Sequence, residues 1–363
     1  MGKFEIREEK MEKIIKEENP FGYKPVGKLL ASMAIPAVVA NLVNALYNIV
    51  DQIFIGQGVG YLGNAATNIA FPITTICLAI GLMMGIGSAA NFNLELGRKN
   101  IDRAREVAGT AAGTLVIIGI LLWITILIFL KPMMVSFGAT EKILDYAIEY
   151  TGITSFGVPF LLFSIGANPL VRADGSPKYS MMAIVVGAIL NTVLDPVFMF
   201  VFNMGIAGAA WATVISEIVS ALLLAYYFTR FKTVKFQMKD FIPKWRFVKV
   251  IVSLGIASFI FQFSTTIIQI TTNNLLKKYG SMSVYGSDIP IAVAGIVAKI
   301  NVIFIAIVLG LTQGAQPIAG YNYGARKYTR VREILKLTLK AAFVISIVAF
   351  AIFQIFPVQI ISL

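Results

Sequence analysis

The chain has 363 residues, of which 57% are hydrophobic and only 14% charged, whereas soluble globular domains carry about 25% charged residues. The mean hydropathy of +0.79 and the repeated long apolar runs exclude a soluble protein and predict a polytopic membrane protein. The net charge of +12 does not indicate a nucleic-acid-binding protein, because the basic residues occupy alternate loops rather than one stripe. There is no His and a single Cys, Cys77, so no internal disulfide is expected and proton transfer would have to use carboxylates or water.

Residues 1–28 are rich in charge and predict a cytoplasmic N-terminal tail. The i,i+4 spacing of acidic and basic residues allows a short surface helix over 5–18, but a solvated tail is the simpler interpretation. No cleavable signal peptide is expected, since the first apolar run is a full-length span rather than a short hydrophobic region.

Nine membrane spans follow in chain order, and they define an all-α membrane protein. They cover residues 29–55, 65–94, 107–130, 143–167, 179–202, 205–229, 247–276, 289–314 and 333–355. Arg and Lys concentrate in every second loop, which places the N-terminus in the cytoplasm and the end of the ninth span outside. The predicted location is the cell membrane, with the lipid bilayer as an obligatory partner.

Two basic segments show that the sequence is internally repeated. "GRKNIDRAREV" (97–107) and "GARKYTRVREI" (324–334) align without gaps at an offset of 227 residues. The bias towards positive loops explains the shared arginines, but not the shared glycine and glutamate. Gly81 and Gly85 in the preceding span fall opposite Gly310 and Gly314. A parallel duplication of a six-helix unit, related by an axis along the membrane normal, is therefore predicted.

The repeat divides the chain into an N-lobe, a linker and a partial C-lobe. The N-lobe of helices 1–6 covers 29–229, the cytoplasmic linker 230–246, and the C-lobe of helices 7–9 covers 247–363. The second copy stops after its third helix, so we expect either a fragment or a natural truncation. The missing helices, or a partner chain that supplies them, are a predicted partner.

Three acidic residues lie inside predicted spans: Asp51, Asp195 and Glu217. Intramembrane carboxylates are costly and usually face a cavity or a partner. At a rise of about 1.5 Å per residue, Asp51 and Asp195 lie roughly 6 and 10 Å below the outer ends of their spans, and Thr213 lies roughly 12 Å below. Asn191 shares a helix face with Asp195, because residues i and i+4 stack.

Pro196 directly follows Asp195 and should kink span five and free a backbone carbonyl. Two carboxylates, an amide, a hydroxyl and that carbonyl form an all-oxygen set that suits Na+, with Asp51 and Asp195 as the principal ligands. Two nearby carboxylates would equally hold a proton. The alternative is that these acids are hydrogen-bonded only for helix packing.

Glu217 and Lys299 are the remaining charged candidates. Glu217 lies one turn from Thr213, so it could act as a second protonation site within the same cluster, or it could pair with Lys299. Lys299 would then form an electrostatic latch between the lobes. Both readings remain open from the sequence.

The segments "YNIVDQIFIG", "NTVLDPVFMF", "GAAWATVIS" and "GLTQGAQPIAGYNYGARK" resemble the multidrug and toxic compound extrusion (MATE) family, closest to its DinF-like and MepA-like branch. The resemblance runs from about residue 25 to the end of the chain. It implies a twelve-helix, two-lobe exporter of amphiphilic, often cationic compounds that alternates access and is coupled to Na+ or H+, without a bound cofactor. It also implies cation-site residues at Asp51, Asn191, Asp195 and Thr213, which matches the depth argument, whereas Glu217 departs from the family pattern.

The leading prediction is therefore a cation-coupled antiporter. A flippase of lipid-linked intermediates would share the two-lobe plan, but it would need more cations in its cavity than Lys299 alone. An intramembrane aspartyl protease would need its two acids within about 3 Å of each other, and the "GxGD" motif of such enzymes is missing around Asp51 and Asp195. A transporter without catalytic residues is expected.

Overall fold

The computed structural model of the protein describes residues 19–280, 282 and 288–356. Helices form every regular element of these ranges. They are α1 (Val26–Gly58), α2 (Tyr61–Gly97), α3 (Ile101–Ser136), α4 (Glu141–Ser155), α5 (Val158–Ala173), α6 (Pro177–Pro196), α7 (Ile206–Phe228), α8 (Trp245–Gly280), α9 (Asp288–Gly324) and α10 (Tyr328–Ile355). Two short 3-10 turns, Pro20–Gly22 and Met238–Phe241, precede α1 and α8.

Eight helices in the described ranges are long and apolar enough to cross a membrane, and the bent pair α4–α5 makes a ninth span if it is counted as one. The predicted all-α fold with about nine spans is thus confirmed. Several helices extend beyond their predicted spans, since α1 starts three residues earlier and α9 continues to Gly324. Apolar runs mark the hydrocarbon core, whereas a helix continues into the polar interface.

Span four differs from the prediction of one helix over 143–167. The chain breaks between Ser155 and Val158, and the two halves are bent by 55°. Pro159 lies in the first turn of the second half, where its missing N–H costs no helical hydrogen bond, so it favours the start of a new helix at this point. The break forms a bend in the N-lobe wall at Gly157.

Span five also differs from its prediction. Pro196 was expected to kink a continuous helix over 179–202, but α6 ends at Pro196 and a π-helical turn, Val197–Val201, follows. The wider turn accommodates the proline ring, and such π turns often lie at functional sites.

The N-lobe helices (α1–α7) and the C-lobe helices (α8–α10) meet through α1, α2, α8 and α9. α1 packs most extensively against α9, and α2 packs most extensively against α8. Within the N-lobe, α2, α3 and α5 enclose a tightly packed core in which Ala108, Ala111 and Ala167 are fully buried.

Glycines allow the lobes to approach backbone to backbone. A methyl group on Gly87 would lie 2.0 Å from the carbonyl oxygen of Ile251, and one on Gly255 would lie 1.8 Å from that of Met83. In the second copy, Gly314 contacts Ala34 of α1 in the same way. Gly87 and Gly314 are therefore the equivalent positions of the two copies, and they are 227 residues apart, as the basic segments are. The prediction that Gly81 and Gly85 correspond to Gly310 and Gly314 is wrong.

The two repeated basic segments have the same backbone geometry. Lys99 and Arg326, which are 227 residues apart, both adopt a positive φ, 63° and 59°, immediately after their helices. The glycines that precede them face each other, since a methyl group on Gly97 would lie 3.0 Å from the Cα of Gly324. These two turns therefore meet near the axis that relates the copies.

The two 3-10 turns each reach across to the other lobe. The N-terminal turn (Pro20–Gly22) lies against the C-lobe, where the Arg330 side chain donates to the carbonyls of Phe21 (3.2 Å) and Lys24 (2.6 Å). The linker turn (Met238–Phe241) lies against α3, where Arg105 pairs with Asp240 at 3.1 Å. The segment that precedes the N-lobe thus contacts the C-lobe, and the segment that precedes the C-lobe contacts the N-lobe.

Candidate cation-binding site

Three helices of the N-lobe bring the predicted cation-site residues together. α6 packs against both α1 and α7, so Asp51 on α1 and Thr213 on α7 approach opposite sides of the α6 pair Asn191 and Asp195. The carboxyl groups of Asp51 and Asp195 lie within hydrogen-bonding reach of each other. The grouping of these four residues follows from helix packing alone.

Asn191 is the centre of the hydrogen bonding in this cluster. Its amide nitrogen donates to Asp195 Oδ1 at 3.3 Å and to Thr213 Oγ1 at 3.4 Å. These distances are long for N–H···O bonds, which usually lie between 2.7 and 3.2 Å. The hydrogen bonds therefore orient the polar atoms without saturating them.

The cluster is buried, yet several of its oxygens have no partner. The exposed fractions of Asp195, Asn191 and Asp51 are 0%, 2% and 9%. Asp51 Oδ1, Asn191 Oδ1 and Asp195 Oδ2 make no hydrogen bond within the described residues. Unpaired buried oxygens cost free energy, so this arrangement calls for a bound cation or proton.

The donor set fits a hard monovalent cation better than a transition metal. The cluster offers two carboxylates, an amide and a hydroxyl, all with oxygen donors. No group of three or more His, Cys, Asp or Glu side chains that could hold a metal occurs in the described part of the chain. Two adjacent carboxylates are also the arrangement that shares one proton.

Three further polar side chains lie near this cluster and were not predicted from the sequence. Tyr47 and Tyr150 lie within electrostatic range of the Asp51 and Asp195 carboxylates, and the side chain of Gln52 lies within hydrogen-bonding reach of Asp51. A detectable signal existed on α1, where polar residues recur at helical spacing at 41, 44, 48, 51 and 52. Tyr150 could not be found this way, because it comes from α4 and only the fold brings it near.

Glu217 lies against the α4–α5 break. Its Oε2 is 2.1 Å from the position that a Cβ on Gly157 would occupy. A side chain at position 157 would push the Glu217 carboxylate aside, so Gly157 makes room for the position that this carboxylate adopts. Glu217 lies within electrostatic range of Tyr47 and Tyr150, and so it borders the same interior region as the Asp51–Asp195 pair.

The backbone of Lys299 is part of α9, but its side chain lies outside the described residues. Its pairing with Glu217 and its role as a latch stay predictions.

Comparisons with known proteins identify the family of the chain. The MatE family model matches residues 36–197 and 258–363, which is well over half of the chain. The chain belongs to the MatE family. Among curated relatives, the multidrug export protein MepA of Staphylococcus haemolyticus is 25% identical over 338 residues, covering 91% of this chain and 72% of the relative. MepA of Staphylococcus aureus is 25% identical over 337 residues, covering 92% and 73%.

Solved structures of MATE transporters have the same fold. A multidrug resistance MATE family transporter in an outward-facing conformation superposes with a TM-score of 0.86 at 27% identity, covering 93% of this chain and 74% of that one. A MOP superfamily transporter from Pyrococcus furiosus, described as having a binding pocket of reversed polarity, also gives a TM-score of 0.86, with coverage of 94% and 74%. The chain is thus a multi-pass member of a membrane transporter family with the MATE fold.

Proposed function

We propose that this MATE chain takes part in cation-coupled export of amphiphilic, often cationic compounds across the cell membrane. The coupling site is the cluster of Asp51, Asn191, Asp195 and Thr213, and the coupling ion is Na+ or H+. The observation that carries the proposal is the set of three buried oxygens without partners on Asp51, Asn191 and Asp195.

Na+ and H+ would compete for this site. Two carboxylates in contact cannot both stay charged in an apolar environment without a compensating positive charge. One shared proton provides that charge, and so does one Na+ bound by both carboxylates and the neighbouring amide and hydroxyl. Entry of either ion lowers the free energy of the occupied lobe, and its release resets the site.

Coupling to transport requires the occupied and empty sites to favour different arrangements of the lobes. The site lies on α1 and α6, and α1 is also the helix that packs most extensively on the C-lobe helix α9. A change in α1 at Asp51 would therefore be transmitted along the same continuous helix to the contact between Ala34 and Gly314. The MepA relatives are multidrug export proteins, which supports export of drugs, and the resemblance to the family implies the amphiphilic, often cationic class.

The proposal is tested by efflux of a cationic dye from proteoliposomes that contain the 363-residue chain. Na+ and H+ gradients are imposed separately, and the Asp195→Asn variant is compared with wild type. We expect Asp195→Asn to lose gradient-driven efflux while inserting normally, because it removes half of the carboxylate pair. Asp145→Asn, which changes an exposed carboxylate on α4, is the control and should transport as wild type does. Undiminished driven efflux by Asp195→Asn would contradict the proposal.

A further inference from the structure

A groove at the first turns of α1 and α6, the two helices that also carry Asp51 and Asp195, has the character of a binding site. It has a volume of about 720 Å³ and lies between the N-terminal turn, the α5–α6 connection and the segment after α7. Lys24, Lys178 and Lys232 line it, one from each of these three segments. All three side chains are exposed, and none forms an ion pair with another described residue.

The floor of the groove is apolar. Leu29 and Met33 come from the first two turns of α1, and Met182 comes from the second turn of α6. At about 1.5 Å per residue, these side chains lie roughly 5–10 Å from the first residues of their helices, in the direction of the predicted hydrocarbon core. The groove therefore combines a positively charged rim with an apolar floor at the membrane end of the same helices.

One carboxylate also lines the groove, but it is already engaged. Asp174 accepts hydrogen bonds from the Tyr227 hydroxyl (2.8 Å) and from the backbone N–H groups of Lys232 (2.7 Å) and Thr233 (3.0 Å). It is almost fully buried, with an exposed fraction of 3%. These hydrogen bonds fix the segment after α7 beside the α5–α6 connection, so the rim lysines Lys178 and Lys232 are held together and the net charge of the rim stays positive.

We propose that this groove binds the headgroup of an anionic phospholipid, with one acyl chain along the apolar floor. The phosphate would lie among Lys24, Lys178 and Lys232, where its charge is complementary. A free phosphate would leave the exposed Met182 side chain of the floor in contact with water, whereas a phospholipid covers this side chain as well as the lysines. Basic pockets between membrane helices on the cytoplasmic side are suited to such lipids, and the cytoplasmic leaflet supplies them.

The groove is lined by both the N-terminal segment and the N-lobe, so a bound molecule would contact both. Phe21 belongs to the N-terminal turn and Lys24 follows it before α1, and the C-lobe holds this stretch through Arg330 and Asn322. Lys178 and Lys232 belong to the N-lobe. A bound lipid would therefore tie the N-terminal turn to the N-lobe and strengthen the crossing between the lobes.

The test measures lipid binding to the purified full chain in a neutral detergent by native mass spectrometry, with no ion gradient, so that its result does not depend on transport. The probes are phosphatidylglycerol, phosphatidylcholine and inorganic phosphate. Wild type is compared with the triple variant Lys24→Gln, Lys178→Gln, Lys232→Gln. The matched control removes three exposed lysines outside the groove, at Lys99, Lys235 and Lys336.

We expect wild type to prefer phosphatidylglycerol to phosphatidylcholine. The groove variant should bind phosphatidylglycerol about ten-fold more weakly or worse, because each lysine near an anionic surface contributes to binding, while the control variant should bind it as wild type does. Equal weakening in both variants would show a diffuse charge effect and overturn the proposal. Full displacement of the lipid by inorganic phosphate would show a site for a soluble anion and would overturn it too.

Discussion

At the scale of single residues, the main feature is that Asp51 and Asp195 lie side by side in a buried cluster. Neither carboxylate has an Arg or Lys partner within the described residues, although unpaired charges inside a membrane are expensive. The neighbouring amide of Asn191 donates only long hydrogen bonds. A reversible cation is the simplest way to stabilise such a pair, and reversibility is what a coupled transporter needs.

Thr213 is expected to contribute one oxygen to Na+ binding. Thr213→Val keeps the shape of the side chain and removes this oxygen, so the Na+ concentration for half-maximal efflux should rise roughly three- to ten-fold, the effect of losing about one polar interaction. Thr213→Ser should restore the wild-type value, because it retains the hydroxyl. An unchanged Na+ dependence in Thr213→Val would remove this residue from the site.

Residue type and spacing were sufficient to predict Asp51, Asn191, Asp195 and Thr213, because intramembrane polar groups are rare and the i,i+4 spacing puts two of them on one face. They were insufficient for Tyr150, which depends on the packing of α4. They were also insufficient for Glu217, whose position against Gly157 depends on a helix break that hydropathy does not report.

At the scale of helices, the contact between the lobes depends on residues that lack a side chain. Gly87 and Gly255 let α2 and α8 meet backbone to backbone, and Gly314 does the same for α9 and α1. These contacts all lie toward the end of the molecule that carries the basic loops. Close approach at that end is what a closed cytoplasmic side requires, given the predicted orientation.

Gly255→Ala is therefore expected to destabilise the lobe contact. The added methyl would lie 1.8 Å from the Met83 carbonyl oxygen, and backbone cannot move aside as a flexible side chain can. Overpacking of this kind costs about 1–3 kcal/mol, which should lower the midpoint of thermal unfolding by several degrees. Gly27→Ala is the control, since its methyl would make only an ordinary 3.8 Å contact with Leu337. Equal unfolding midpoints for the two variants would contradict the argument.

Arg330 is expected to hold the N-terminal turn on the C-lobe. Arg330→Gln loses the hydrogen bonds to the Phe21 and Lys24 carbonyls, so amide hydrogen exchange over residues 20–25 should accelerate about ten-fold, as for the loss of about 1.4 kcal/mol of local stability. Arg332→Gln changes an exposed arginine two residues away and should leave this exchange as it is in wild type. Protection of the turn in both variants would show that other contacts hold it.

Helix number could be predicted from apolar runs, whereas helix breaks could not. To predict the α4–α5 bend, one would have to know that Gly157 and Pro159 interrupt the helix. Sequence alone does not tell this, because Pro36 and Pro72 do not interrupt α1 and α2.

At the scale of the whole molecule, the two copies of the duplicated unit are alike at their lobe contacts and differ in their acidic residues. The two copies provide matching glycine contacts and matching basic turns, but only the first copy carries the acidic cluster in the described residues. The repeat was detectable because the segments at 97–107 and 324–334 retain identical residues at fixed positions. The glycines that correspond between the two copies could not be identified from the sequence, because this needed the contacts between α1 and α9 and between α2 and α8.

The measurement that most directly tests the central claim is the thermal stability of the purified chain as a function of Na+ concentration and pH. Wild type is compared with the double variant Asp51→Asn, Asp195→Asn, and with the control Asp145→Asn. Na+ or a proton relieves the repulsion between the two carboxylates. Wild type and control should therefore unfold at higher temperature when either ion is increased, and the double variant should lose this response. A double variant that responds to both ions as wild type does would contradict the assignment of the cation site.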